Sequence, residues 1–308
     1  MTFAAYLGLY ESGELHRRVE RGLYLLGRCT MCPRACRVNR LAGEKGECRV
    51  GRRAVVSSYG PHFGEERPLV GQRGSGTIFF SYCNLNCLFC QNYSISQAGE
   101  GEEVGPSQMA AMMMHLQRQG CHTVNLVTPT HVVPQVLEAL EIAIPQGLSI
   151  PLVYNTGGYD SLAALRLLDG VVDIYMPDVK YSDARVAEEL SGVKDYPRVN
   201  RAAVKAMQAQ VGDLATDESG VATRGLIIRH LVLPHGLAGT EDALRFIAQD
   251  ISRNAYVNIM DQYRPCYRAH GHPLLSRPLT RGEFLEAVRL AEDVGLARLD
   301  ERRAWALV

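Results

Sequence analysis

Apolar runs of strand length alternate with segments of helical period over most of the chain. Six apolar runs predict strands at 77–80, 122–128, 150–156, 172–176, 226–233 and 256–259. Helical spacing is found at 108–117, 132–143, 161–168, within 183–211, at 241–251 and at 281–294. Helix-sized crossovers between apolar strands indicate a parallel sheet whose outer face is covered by helices. Six units are too few for an eight-stranded barrel, so the sequence predicts an α/β fold, a partial, laterally open (β/α)6 TIM-like barrel.

The region before the first predicted barrel strand differs from the rest of the chain. We expect residues 1–75 to form an N-terminal helical, metal-bound extension, and residues 76–308 to form the barrel. A glycine-rich run at 71–76 marks the join. Because no Lys-Ser or Lys-Thr pair follows these glycines, we predict a linker rather than a phosphate-binding loop.

Composition and charge exclude several classes of protein. The 308 residues carry 33 basic and 33 acidic side chains, so no basic field favours nucleic acid or a membrane surface. Charged residues from Glu11 onward interrupt the N-terminal segment, so we expect no signal peptide. No apolar run has the length of a membrane span. Seven of the nine cysteines fall within residues 29–90, which indicates metal binding more than disulfides. We therefore expect a cytoplasmic protein.

Three cysteines directly after the first predicted barrel strand, Cys83, Cys87 and Cys90, have the spacing C-x3-C-x2-C. Three thiolates can hold three corners of a [4Fe-4S] cluster and leave the fourth iron open to another ligand. A structural zinc site would normally be completed by a fourth Cys or His. The alternatives are a zinc knuckle or three unrelated buried thiols.

Four earlier cysteines form a second group, consisting of Cys29, Cys32, Cys36 and Cys48. Pro33 follows one of them, and Gly43 and Gly46 precede another, as knuckles around a metal require. Four soft ligands within 20 residues indicate either a tetrahedral zinc site or a second, fully ligated iron–sulfur cluster. Zinc would be structural, whereas a cluster could relay electrons. Four reduced surface thiols are the third possibility.

Polar or ionisable residues follow each of the later predicted strands. They are Thr128, Thr130 and His131, then Asn155 and Thr156, Asp178 and Lys180, Arg229 and His230, and finally Asp261 and Gln262. Each has a simple structural explanation, such as a strand cap or a solvated ion pair. Because βα barrels carry their active sites at the carboxyl ends of the strands, their joint placement predicts a polar pocket there.

These motifs resemble the radical S-adenosylmethionine (SAM) superfamily. Asp178-Val179-Lys180, the Ile-Arg-x-x-x-x-Pro run at 228–234 and the Asn-Thr-Gly-Gly turn at 155–158 are similar to segments of pyruvate formate-lyase activating enzymes. Nearly the full chain is similar to a divergent, activating-enzyme-like branch with extra N-terminal cysteines. The resemblance implies that the C-x3-C-x2-C thiolates bind a [4Fe-4S] cluster. It also implies that Asp178, Lys180 and Arg229 help to hold SAM, together with Asn155 and Thr156.

One expected motif is missing. The Gly-Gly-Glu segment that receives the SAM amino group in that family is replaced here by residues 127–131. Thr128, Thr130 and His131 are the candidates to take its place.

The resemblance also implies a reaction. A reduced cluster cleaves SAM, and the resulting 5′-deoxyadenosyl radical takes hydrogen from a substrate. The substrate would be the glycine-bearing loop of a partner protein, which gains a glycyl radical, or another peptide. Alternatively, the extension closes the open barrel side and the substrate is a small molecule. An electron donor such as flavodoxin or ferredoxin is expected as a partner. A zinc-bound scaffold protein is the alternative from a different class.

Overall fold

The computed structural model describes residues 4–300. Its strands are β1 Ala54–His62, β2 Ser75–Phe80, β3 Glu102–Val104, β4 Val124–Val127, β5 Leu152–Thr156, β6 Ile174–Pro177, β7 Ala215–Thr216, β8 Ala222–Leu231 and β9 Tyr256–Met260. Its α-helices are α1 Tyr6–Glu11, α2 Glu14–Leu26, α3 Arg67–Val70, α4 Tyr93–Ser96, α5 Pro106–Arg118, α6 Val133–Ala143, α7 Leu162–Leu168, α8 Ala184–Ser191, α9 Tyr196–Val211, α10 Thr240–Phe246 and α11 Arg281–Asp293. Among these residues, no helix has the length and apolar character needed to cross a bilayer.

Six parallel strands form the barrel. They lie in the order β2, β4, β5, β6, β8 and β9, and each neighbouring pair is parallel. Each crossover between these strands contains at least one helix. The barrel does not close, because the outer edge of β2 pairs antiparallel with β1. The predicted α/β fold with six strand–helix units is therefore confirmed.

Three short or irregular strands, β1, β3 and β7, were not predicted. Strand β1 contains Gly60 and Pro61, which are unfavourable inside a sheet. Strand β3 pairs with β1 only along residues 54–56, so Pro61 lies where a missing amide donor costs little. Residues 54–62 of the predicted extension thus share the sheet of the barrel. The division into residues 1–75 and 76–308 stays a prediction.

The segment after β1 reaches the far end of the barrel sheet. Asn258 on β9 donates from Nδ2 to Glu66 Oε1 at 2.9 Å. Leu69 in α3 is fully buried and packs into the barrel interior with side chains of β5, β6 and β8. Residues 62–70 therefore link the β1 edge of the sheet to β9, across the side on which the six strands leave the barrel open.

The barrel sheet has a cluster of apolar side chains on each of its two faces. Val153, Ile174 and Ile227 belong to the inner cluster, which Leu69 completes. Tyr154 and Tyr175, one residue along from two of these positions, belong to the larger cluster between the sheet and the helices. Because strand side chains alternate with period two, this register decides which polar residues face the interior.

Candidate active site

The strand register places polar side chains inside the barrel mouth. Asn155 lies two residues after Val153, and Arg229 lies two residues after Ile227, so both face inward. Asp178 follows β6 on the same face, four residues after Ile174. His230, one residue out of phase, faces outward and contacts Val179 O and Thr240 Oγ1. The sequence alone placed His230 among the pocket residues. Because side chains alternate along the strand, His230 lies on the face opposite to Arg229 and outside the pocket.

The cysteine loop lies directly above β2. Its backbone is held by α8, because Asn86 N donates to Ser191 O at 3.1 Å and Leu88 N donates to Leu190 O at 2.9 Å. The Ser191 hydroxyl also donates to Cys87 Sγ at 2.9 Å. Cys87 is buried, while Cys83 and Cys90 are half-buried. Helix α8 thus fixes the backbone of the loop and also contacts its buried thiol, Cys87.

All three thiols line one cavity of about 450 Å³. Burial raises the pKa of the Cys83 and Cys87 thiols. Within residues 4–300, no three His, Cys, Asp or Glu side chains converge closely enough to hold a single metal ion. A four-iron cluster takes its thiolates at separate corners, so its ligands need not meet at one point. Three soft donors around a shared cavity therefore fit such a cluster.

A buried charge network also lines this cavity. Lys180 Nζ donates to Asp178 Oδ2 at 2.6 Å, and Arg229 Nε donates to Asp178 Oδ1 at 2.8 Å. Arg229 Nη2 also donates to Asn155 Oδ1 at 2.8 Å. Burial alone would raise the pKa of Asp178, but the Arg229 and Lys180 charges overcome this effect and hold it below its ordinary value. Asp178 is thus an anion that fixes two cationic side chains at the cavity surface.

Residues from the N-terminal half of the chain complete the lining. Glu65, Glu66 and His62 reach the cavity from the segment after β1, and Asn258 reaches it from β9. Burial raises the pKa of Glu65 to about 7, although the nearby Arg229 charge acts against this shift. Sequence reasoning missed these residues, because the segment was read as part of a separate extension. The Gly64-Glu65-Glu66 run was the available signal.

Comparison with known proteins decides the family. The sequence profile of the radical SAM superfamily matches residues 77–219, which include the cysteine loop, Asp178 and Lys180. The Methanocaldococcus jannaschii protein named Uncharacterized protein MJ0674 is 36% identical over 292 residues, 92% of this chain and 79% of that protein. This chain belongs to the radical SAM superfamily. Membership implies an enzyme that uses a [4Fe-4S] cluster and SAM, and it sets aside the scaffold alternative.

Two solved structures have a similar fold. A crystal structure of HydG, a maturase of the [FeFe]-hydrogenase, has a TM-score of 0.50 and 12% identity, covering 72% of this chain and 49% of that one. HydG from Carboxydothermus hydrogenoformans has a TM-score of 0.51 and 12% identity, covering 72% and 51%. The chain thus spans about half the length of these maturases. At this identity the likeness concerns the fold alone.

The radical SAM cavity contains most of the predicted SAM contacts. Asn155, Thr156, Asp178, Lys180, Arg229 and Thr128 all line it. Thr156 Oγ1 is also engaged with Asp160 Oδ2 at 2.7 Å, so its hydroxyl serves the wall of the barrel. Thr128 has a positive φ of 62°, a strained conformation of the kind often found at functional sites.

His131 lies elsewhere. Its side chain is 1% exposed and faces the small cavity that Cys29, Cys32, Cys36 and Cys48 also line. Its Nε2 contacts Ser81 O at 3.0 Å. The expectation that His131 contacts SAM from the barrel mouth is therefore not matched by its position, because the turn after β4 directs this ring towards the N-terminal cysteines.

Proposed function

We propose that this chain cleaves SAM reductively and directs the product radical at a substrate held in the same cavity. The observation that supports this proposal is the shared cavity, which is lined both by the C-x3-C-x2-C thiols and by Asp178, Lys180 and Arg229. The cluster and SAM, when bound, supply the electron and the 5′-deoxyadenosyl radical. Cys83, Cys87 and Cys90 would hold the cluster.

The charge network orients SAM in this proposal. Lys180 offers a point charge with three donors, and Arg229 offers a planar fork, so both suit the SAM carboxylate. Asp178 keeps these donors in place before SAM arrives, because it is buried between them. Donors that are fixed in advance lose little conformational entropy when the ligand binds.

Glu66 is our candidate for the acceptor of an ammonium group. Its Oε1 accepts from Asn258, while its Oε2 is buried with no hydrogen-bond partner. An unpartnered carboxylate oxygen inside a cavity is costly unless a ligand supplies a donor. Glu66 would thus provide the carboxylate that the missing Gly-Gly-Glu segment supplies in the family that the chain resembles.

For the substrate, we propose the glycine-bearing loop of a partner enzyme, with flavodoxin or ferredoxin as the electron donor. The similarity to activating enzymes around residues 155–158, 178–180 and 228–234 supports this assignment. The reaction would leave a glycyl radical on the partner protein.

A small-molecule substrate is the second candidate. The observation that favours it is the segment at 62–70, which joins the β1 edge to β9 through the Glu66–Asn258 contact. This segment crosses the side through which a protein loop would otherwise enter. A compact substrate needs no lateral opening.

The decisive experiment uses protein purified and reconstituted without oxygen. With dithionite and SAM, we expect 5′-deoxyadenosine to form and each of the three cysteine-to-alanine variants to form none. Cys121→Ala is the matched control, because Cys121 is a buried thiol outside the cavity. Absence of 5′-deoxyadenosine from the iron-loaded wild type would refute the proposal. Candidate glycine-loop proteins are then screened for a glycyl radical by EPR, and deuterium transfer from metabolites tests the small-molecule alternative.

A further inference from the structure

The four N-terminal cysteines surround one small enclosed space. Cys29, Cys32 and Cys48 are buried and Cys36 is half-buried, and all four line the same cavity. The chain approaches Cys36 closely at Gly46, where an added Cβ would lie 2.8 Å from Cys36 Sγ. The glycine at this position therefore lets the backbone turn tightly around the thiol.

A buried arginine shares this cavity and has no acidic partner in the part of the chain that the structure describes. Arg40 is 1% exposed, and its guanidinium donates to Gly51 O at 3.0 Å and His131 O at 2.7 Å. Among residues 4–300 no carboxylate pairs with it, while its Nη1 lies 3.9 Å from Cys29 Sγ. Its Nη2 is buried without a partner. A buried cation is costly without a counter-charge, so an anionic group beside Arg40 would stabilise it.

His131 carries a second unpaired atom beside this cavity. Its Nε2 must carry the proton, because the partner of this nitrogen is the Ser81 carbonyl oxygen. Its Nδ1 is then an acceptor, and it is buried without a hydrogen-bond partner. Two buried polar atoms, Arg40 Nη2 and His131 Nδ1, are therefore unpaired in residues that line the cavity of the four thiols.

The size of the space separates a single ion from a cluster. The cavity measures about 10 Å³, close to the minimum that holds one water molecule. A [4Fe-4S] core contains eight atoms and would force residues 29–48 apart. In this structure the four thiols line the same cavity without converging on one point. One tetrahedral ion therefore requires that they rotate inward, and four thiolates with one divalent ion leave a net charge of about −2.

We propose that Cys29, Cys32, Cys36 and Cys48 bind one divalent zinc-type ion, and that buried Arg40 is the counter-charge of this anionic centre. The centre is separate from the SAM site, but it adjoins the cysteine loop that contains Cys83, Cys87 and Cys90. Arg34, two residues after Cys32, donates from Nε to Asn84 O at 2.9 Å. The ion therefore organises a segment that supports the backbone between Cys83 and Cys87.

Metal analysis of the full-length chain tests the ion. Anaerobically reconstituted wild type should contain one zinc and about four irons per chain. Cys32→Ser should lose the zinc and retain most of the iron, whereas Cys87→Ser should lose the iron and retain the zinc. In the zinc-depleted protein, Co²⁺ should give the visible bands of tetrahedral thiolate coordination. About eight irons without zinc, or unchanged zinc in Cys32→Ser, would overturn the proposal.

Charge-neutral substitution tests Arg40. We expect Arg40→Met to weaken zinc binding at least tenfold in competition with a chelator, and Arg40→Lys to restore most of the affinity. Arg37→Met is the matched control, because Arg37 belongs to the same segment but is exposed. In the zinc-free state, Arg40→Met should be no less stable to urea than the wild type, since the buried charge then has no partner. Equal zinc affinities for Arg40→Met and the wild type would remove Arg40 as the counter-charge.

Discussion

Replacement of Lys180 by Met tests the charge network most directly. Lys180 is 15% exposed, and its Nζ lies 2.6 Å from Asp178. The substitution retains the length of the side chain and removes one charged donor, while Asp178 keeps Arg229. A hydrogen bond from a charged group contributes about 1.5–3 kcal/mol, so the Kd for SAM should rise roughly 10- to 150-fold. The loss of stability should stay below the roughly 3–5 kcal/mol of a fully broken buried pair.

The assay is anaerobic equilibrium dialysis with labelled SAM, together with iron analysis of the same sample. Lys205→Met is the control, because Lys205 forms an ion pair with Asp250 in which both side chains are about half exposed. It should leave the Kd for SAM unchanged. If Lys180→Met loses iron but binds SAM like the wild type, Lys180 supports the loop and not SAM, and the reasoning is wrong.

Three further outcomes follow from the site. Alanine variants at Cys83, Cys87 and Cys90 should each lose the cluster iron and the 5′-deoxyadenosine product. Their circular dichroism spectra should match that of the wild type. Glu66→Gln should weaken binding of SAM or of a cationic substrate about tenfold at constant iron content; unchanged KM values for both would exclude Glu66 as an acceptor. Burial lowers the pKa of His230 from 6.5 to about 4. Because the folded pKa lies below the unfolded one, this contribution to stability is present above pH 6.5 and is lost as the pH falls towards 4. Between pH 7.5 and 5.5, the wild type should lose roughly 1.3 kcal/mol more unfolding free energy in urea than His230→Asn. Equal losses would show that His230 does not titrate in this way.

The barrel was predictable because its signals are local. Each barrel strand is an apolar run followed by a helix, and the polar residues at its end need only the next turn to be placed. Asn155, Asp178 and Arg229 were therefore identified from sequence, and they line the cavity together. His230 and His131 do not line this cavity, and one reason explains both. Their orientation depends on the phase of a strand or turn, which a list of polar residues after each strand does not contain.

The N-terminal contribution to the site was hidden because it depends on non-local pairing. Strand β1 reaches β2 through antiparallel pairs such as His62 with Ser75, and its edge residues include Pro61. Neither the alternation of β1 nor its composition is typical of a barrel strand. Glu66 reaches its position only because Leu69 is buried in the barrel interior and because Asn258, on β9, donates to its carboxylate.

This arrangement makes the cavity a product of both halves of the chain. The cysteine loop and the charge network come from parallel strands, whereas Glu65 and Glu66 come from a segment held at its two ends by β1 and by the interior position of Leu69. Arg34 connects the same N-terminal half to the cysteine loop through Asn84 O. A change in the extension can therefore alter SAM chemistry without touching a cluster ligand. The N-terminal cysteines would then act on catalysis through the shape of the loop, and electron transfer is not required to explain why they lie beside it.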